Sequence, residues 1–467
     1  MSDKMFRKKI IIQNPKKIFF FFVIFSFAAI CLESCKKDFE EHVSISANAN
    51  AAAKATKPNI ILFIANDFGF ELPTYNGGQS YSTPNLDFVA HNGIFFKQVY
   101  NHPDGSPSRM AILTGKYNFR NYVKWGYLPP DQKTIGNMLQ RKGYATCWVG
   151  KWQLSGGDRR IRRAGFDKYL VYLPMGHGQR VNRYKNPHIY ANGDYLPDSA
   201  VAGKYSEDMF YNYLGNFIDS NKTNPFFAIY ATLLPAQPWV PTPDNPAFAT
   251  WDPANDEILD NKKYFPGMVS YMDKIVGKVI QKLQADGIAD NTIILWTSAT
   301  QTDSRITSLW QGQNVQGTKT NTFKAGTNIP LLAYWSNHIA AGQTSNTLID
   351  FTDFLPTLAG IAHIPVPSNY GILDGTSFYD NMMSTPGKNR DWVFCQWDNN
   401  PLDDVPVERF INNRKYKLYD TVGQGNGRFY EIDNDMYEKN PIPDNALTPE
   451  QLQIKQYFRS VLDTLHN

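Results

Sequence analysis

Cysteine is scarce in this chain, with only four among 467 residues. Two of them, Cys31 and Cys35, fall in an N-terminal leader, leaving Cys147 and Cys395 for the remainder. So sparse a set excludes a disulfide framework as the source of stability. Cys147 sits in an apolar stretch, residues 144–149, and reads as buried filler. Whether it pairs with Cys395 is left open by the spacing. An excess of one charge is missing as well. The formal net charge of +4 belongs to the leader, where six basic residues outnumber two acidic ones, and the rest is close to neutral. That balance excludes a basic face for nucleic acid. The most apolar run, residues 18–32, falls short of the roughly 20 residues a membrane-spanning helix needs. No internal repeat is evident.

What the leader contains is an export signal. Lys4, Arg7, Lys8, Lys9, Lys16 and Lys17 precede the apolar run, which closes in Leu32-Glu33-Ser34-Cys35. A small residue just before a cysteine resembles a bacterial lipobox with Cys35 as the lipidated residue; Cys31 follows Ile30, a poorer fit. A cleaved signal without lipid is the alternative. Residues 35–57 are rich in Ser, Ala, Asn and Lys and carry no hydrophobic period, as a flexible tether would. These features predict a signal peptide over 1–34 and an exported lipoprotein on the periplasmic or outer side of a bacterial outer membrane. Its contact with the membrane would be through the lipid anchor only.

From Pro58 onward, short apolar runs alternate with helical patterns, which predicts an α/β fold with a mixed, largely parallel central sheet flanked by helices. Unbroken apolar runs at residues 58–65, 225–232, 291–298 and 329–335 read as buried strands, and 145–149 as another. Residues 134–142 read as a helix. Met268, Met272, Ile275, Val276, Val279 and Leu283 line one face of a longer one. Residues 348–361 are expected to be helical, with Pro356 inside. After residue 385 the texture changes to short strands at 393–397, 409–412, 416–419 and 429–432, then a closing helix over 451–466. The expected division is a large domain over 58–385 and a small α+β subdomain, an antiparallel sheet with a helix, over 386–467.

One segment carries a specific motif. Gly105-Ser106-Pro107-Ser108-Arg109-Met110-Ala111-Ile112-Leu113-Thr114-Gly115 closely resembles the sulfatase motif Cys/Ser-x-Pro-Ser-Arg-x-x-x-Leu-Thr-Gly. Further landmarks recur in the family's order: Ala65-Asn66-Asp67, Gly150-Lys151-Trp152-Gln153-Leu154, Gly165-Phe166-Asp167, Pro235-Ala236-Gln237-Pro238, Thr297-Ser298-Ala299-Thr300, Lys319 with Gly326, and Asp353 with Asp374-Gly375. The chain is thereby similar to the sulfatases of the alkaline-phosphatase-like superfamily over nearly its whole length beyond the tether.

The resemblance implies a site, and this sequence departs from it repeatedly. In the family the first motif residue becomes formylglycine, whose hydrate attacks sulfur; here it is Gly105, which has no side chain to oxidise. The implied Ca²⁺ ligands fall on Asn66, Asp67, Ala299 and Thr300. Calcium affinity depends on ligand charge, and three negative charges have fallen to one, so Ca²⁺ is implied by family while its ligand set is degenerate. Asp303 is a conceivable substitute. Two family histidines are replaced by Gln153 and Ala236, and neither can transfer a proton near neutral pH. Arg109, Lys151 and Lys319, which surround sulfate in the family, are kept. The expectation is a sulfatase-fold lipoprotein that has lost formylglycine- and calcium-dependent hydrolysis and binds sulfated or other anionic carbohydrate. Two alternatives stand beside it. One is an active sulfuric or phosphoric ester hydrolase using Ser106, Asp67 or an activated water. The other is a purely structural or partner-binding shell.

Overall fold

In the computed structural model the described residues are 57–175, 182–253, 261–398 and 407–465. The signal, Cys35 and nearly all of the tether lie outside them, as does His466 at the end of the expected closing helix. Ten strands form the central sheet. Eight come first: β1 (Asn59–Ala65), β2 (Ile94–Tyr100), β3 (Ala145–Lys151), β4 (Lys168–Tyr172), β5 (Ile189–Ala191), β6 (Asp194–Tyr195), β7 (Phe226–Ala231) and β8 (Thr292–Ser298). After a separate hairpin of β9 (Thr307–Trp310) and β10 (Gln313–Gln316), the sheet is completed by β11 (Asn328–Tyr334) and β12 (Gln343–Asp350). The order is β12-β2-β11-β8-β1-β7-β3-β4-β5-β6. β8, β1, β7, β3 and β4 run parallel to one another, as do β12 and β2; β11 is antiparallel between β8 and β2, and β5 is antiparallel to β4.

The unbroken apolar runs are explained by burial on both faces. Along β1, Ile60, Leu62 and Ile64 pack into one core, while Ile61, Phe63 and Ala65 pack into the other. Successive side chains of a strand point to opposite faces, so one seven-residue run serves both layers. The helix Gly105–Thr114 covers the first face, together with Phe354–Ile361. The helix Phe265–Ala285, with Met268, Met272, Ile275, Val276, Val279 and Leu283 buried, covers the second.

The expected helix over 348–361 is corrected. Leu348, Ile349 and Asp350 belong to β12 and pair with Gln98, Val99 and Tyr100 of β2. The helix starts only at Phe354, after a capping box in which Asp350 accepts from Thr352 N (2.8 Å) and Asp353 accepts from Asp350 N (2.8 Å). Pro356 falls in the first turn, where no intrahelical partner is required of its nitrogen.

The small C-terminal sheet is antiparallel in the order β13 (Val393–Trp397), β14 (Glu408–Asn412), β15 (Tyr416–Gly423), β16 (Phe429–Glu431). Phe458 and Leu462 of the closing helix Pro449–Thr464 pack on Phe394, Ile411 and Leu418, and Tyr117 joins the same cluster. A buried pair, Lys417 with Glu438 (2.9 Å), grips the segment after Lys319: Lys417 Nζ donates to Thr322 O, and Lys324 N donates to Glu438 (2.7 Å). Residues Lys57–Asn467 form one compact unit. Cys147 and Cys395 are both free and buried, so they do not pair. Among the described residues no helix is long and apolar enough to cross a membrane.

Candidate functional site

In parallel sheets, ligands gather beyond the carboxyl ends of the strands. Four adjacent strands, β8, β1, β7 and β3, end almost level, with Ala65 opposite Ser298 and Ala231 opposite both Ile64 and Gly150. The residues that follow them are those singled out from sequence: Asn66 and Asp67 after β1, Ala299 and Thr300 after β8, Ala236 beyond β7, and Lys151 with Gln153 at the end of β3. Two of these turns take positive φ. Asp67 and Gln153 hold φ of 64° and 50°, the left-handed region, which Asp tolerates in turns and Gln adopts less readily.

The motif helix closes the site. Asp104 caps it by accepting from Ser106 N (3.3 Å), and Gly115 ends it with φ 67°. Gly105 begins the helix, and Arg109, one turn later, comes back beneath it. A Cβ placed on Gly105 would lie 3.0 Å from Arg109 Nη1, 3.6 Å from Thr300 Cγ2 and 3.8 Å from Ala299 Cβ. Arg109 is 1% exposed and donates to Gln153 Oε1 (3.2 Å). Burial pushes its pKa down to about 10, against the pull of Asp104, which leaves it charged at neutral pH.

A cavity of about 220 Å³ results. It is lined by Asn66, Asp67, Gly105, Lys151, Gln153, Ala236, Thr300 and Lys319, so eight of the residues named from sequence meet there. Arg109 and Ala299 stand behind the wall instead of in it. Ser106, the candidate substitute nucleophile, is also turned away: it is fully buried and its Oγ accepts from Gly126 N (2.8 Å). Asp303 is engaged by Arg305 of its own loop (2.9 Å). Four further residues line it: Gln237, read from sequence only as part of a landmark, and Asp104, Trp125 and Arg183, which were not foreseen. Arg183 lies over the Tyr172 ring (5.5 Å) and its guanidinium bonds Gln237 O. No periodicity or motif marks Arg183 or Trp125, and only the folding of distant loops brings them to the cavity.

The charges divide unevenly. Lys319 donates to Asp67 Oδ2 (2.8 Å), and Thr300 Oγ1 donates to Asp67 Oδ1 (2.8 Å). Burial alone would depress Lys319, but Asp67 with Asp104 and Asp303 holds it above the usual lysine value. Lys151 has no carboxylate in an ion pair with it among the described residues: its Nζ donates to the neutral Asn66 Oδ1 (3.2 Å). Burial, then Arg109 and Arg183, press its pKa well below the ordinary lysine value, with only Asp67 opposing strongly.

Calcium takes six to eight oxygens and favours carboxylates. Of the implied ligands Asp67 alone is charged, both its oxygens are already engaged, Ala299 offers no side-chain oxygen, and ammonium groups sit on Asp67 and Asn66. Among the described residues no group of three or more His, Cys, Asp and Glu is gathered to hold a metal. The residues present do not fit a calcium ion.

Comparison with known proteins agrees with this architecture. The chain is 27% identical over 368 residues to N-acetylgalactosamine-6-sulfatase of Mus musculus, covering 71% of this chain and 68% of that protein. It is 24% identical over 496 residues to N-acetylglucosamine-6-O-sulfatase of Bacteroides thetaiotaomicron, covering 86% and 85%. The solved structure of Ps i-CgsB in complex with k-i-k-neocarrahexaose superposes with a TM-score of 0.71 at 25% identity, over 86% of this chain and 92% of that one. The family model for Sulfatase matches residues 58–364, about two thirds of the chain, with the strands and motif helix that build the cavity; the chain belongs to the sulfatase family.

Proposed function

We propose that this protein captures the sulfate, or an equivalent anionic group, of a glycan in the cavity and does not hydrolyse the ester. One observation carries the reading: among the described residues Lys151 makes no ion pair, in a small cavity that Lys319 and Arg183 also line. Gathering cations there is unfavourable until an anion arrives, and convergent donors on a planar or tetrahedral oxyanion are the strong, charge-assisted kind. Ester cleavage would need a nucleophile in line, a proton carrier and a metal or its equivalent. Gly105, Gln153, Ala236 and the Asp67 ion pair supply none of these. The named activities of the relatives, on 6-sulfated amino sugars, support a sulfated carbohydrate as the ligand class. A lipid anchor at Cys35 would hold such a receptor at the bacterial surface.

The test is isothermal titration of the full chain with inorganic sulfate and glucose 6-sulfate, beside an assay of sulfate release. Saturable binding, weakened in Lys151→Met and Lys319→Met, with release at background, is expected. Release above background that disappears with Arg109→Met would overturn the reading in favour of a hydrolase with another nucleophile. Absence of saturable binding would leave only a structural shell.

A further inference from the structure

Two stretches of chain leave the cavity and meet again at a second cationic spot. One runs from Trp125 to Tyr127, the other from Gln153 into the helix Gly157–Arg163. They are pinned together on the way. Gly126 N donates to Ser106 Oγ (2.8 Å), Ser155 Oγ donates to Gly126 O (2.6 Å), and Leu128 N donates to Leu154 O (3.1 Å). Past these bonds the half-buried Tyr127 ring is flanked by two cations. The Arg160 guanidinium stands 5.1 Å from its centroid and the Lys124 ammonium 5.2 Å.

Neither cation has a carboxylate partner among the described residues. Arg162, on the same helix, does: it is paired with Asp158 at 2.7 Å. Arg160 reaches only the Tyr127 hydroxyl, with Nη2 at 3.5 Å, and its Nη1 is buried with no hydrogen-bond partner. A buried donor without a partner is costly, and an arriving oxyanion relieves that cost. A guanidinium already seated against a ring keeps its fork oriented for such a group. Exposed Val123 and Met175 flank these two stretches, Met175 Cε lying 2.8 Å from where a Cβ on Gly157 would be.

We propose that Tyr127, Arg160 and Lys124 form a second recognition site for the same saccharide, the sugar lying along Trp125 and Tyr127 while a second anionic group meets the partly exposed Arg160 guanidinium. The inference rests on the reading that the cavity takes the first anionic group. Two residues of chain span at most about 7 Å, so Trp125 in the cavity wall and Tyr127 at the second spot are near enough for one saccharide to touch both. The ligand class narrows accordingly from a monosulfated sugar to a saccharide bearing at least two anionic groups, as sulfate esters or a uronate carboxylate.

The test titrates the full chain with inorganic sulfate, glucose 6-sulfate and sucrose octasulfate. Arg160→Met is compared with Arg159→Met, which removes a neighbouring exposed arginine from the same helix. Arg160→Met should weaken octasulfate binding about ten- to hundredfold, the worth of a charge-assisted hydrogen bond, and leave inorganic sulfate within about twofold. Arg159→Met should change both little. Equal losses in the two variants, or none in Arg160→Met, would overturn the second site. Absence of inorganic sulfate binding in the unmodified protein would instead sink the cavity reading, and the two failures are therefore distinguishable.

Discussion

Lys151 makes anion capture a proton-linked event, and this can be measured. In the free protein its charged form is disfavoured by burial and by Arg109 and Arg183, while Asp67 opposes them and Lys319 adds to the repulsion; Asp104 also lines the cavity. An anion beside it restores the balance and raises its pKa. Binding therefore takes up a proton wherever free Lys151 is neutral. The sign follows: affinity is flat below the free-protein pKa and falls above it, by up to tenfold or about 1.4 kcal/mol per pH unit. The same depression acts on folding. Its stabilising contribution is present above the unfolded lysine value and is lost as pH falls through the depressed one. Titration with sulfate at several values between about pH 7 and 10, in buffers of different ionisation enthalpy, reads the uptake directly, with a limit of one proton. Lys151→Met should abolish both the uptake and the slope. An affinity independent of pH over that range, or a slope that survives in Lys151→Met, would refute the argument.

Further outcomes follow from other parts of the molecule. Gly105→Cys places its Cβ 3.0 Å from Arg109 Nη1, a buried guanidinium that must give by a few tenths of an ångström, so it should cost about 1 kcal/mol in urea unfolding and leave 4-methylumbelliferyl sulfate hydrolysis at background; hydrolysis restored by this one change would show that the other losses are immaterial. Glu71 is 2% exposed and burial raises it to about 7, against a hydrogen bond from Thr302. Its contribution to stability is complete below about pH 4.5 and is lost as pH rises through 7, so Glu71→Gln should remove roughly 3 kcal/mol of that decline between unfolding curves at pH 5 and pH 8. Glu71 Oε1 and Gln301 Oε1 are both buried without a donor, and protonation of Glu71 would supply one. Lys417→Met leaves Glu438 buried beside Tyr419, and should lower stability by about 3–5 kcal/mol; a loss under about 1 kcal/mol would mean that the pair is not what grips the segment after Lys319.

Most of the fold was legible because burial leaves a regular trace. Runs such as residues 58–65 and 291–298 are apolar at every position, as a strand covered on both faces must be, and the stripe from Met268 to Leu283 has the period of a helix lying on a sheet. The same regularity misled at Leu348–Asp350, where a strand end and a helix start are joined by a capping box. An apolar run of that length fits either structure, and only the register with β2 decides. The site was legible through its motif, since Gly105 to Gly115 and the residues following four strands are local in sequence.

The order of residues by itself determined the sheet-forming runs, the identity of the motif helix, and the absence of an oxidisable side chain at 105, because each of these is a property of one short segment. Only the tertiary structure decided that Arg109 stands behind the cavity, that Lys319 is spent on Asp67 while Lys151 is not, and that Arg183 and Trp125 complete the wall. The physical reason is that charge compensation depends on distance in space, and the partners here lie 85 positions apart for Lys151 with Asn66 and 252 for Lys319 with Asp67.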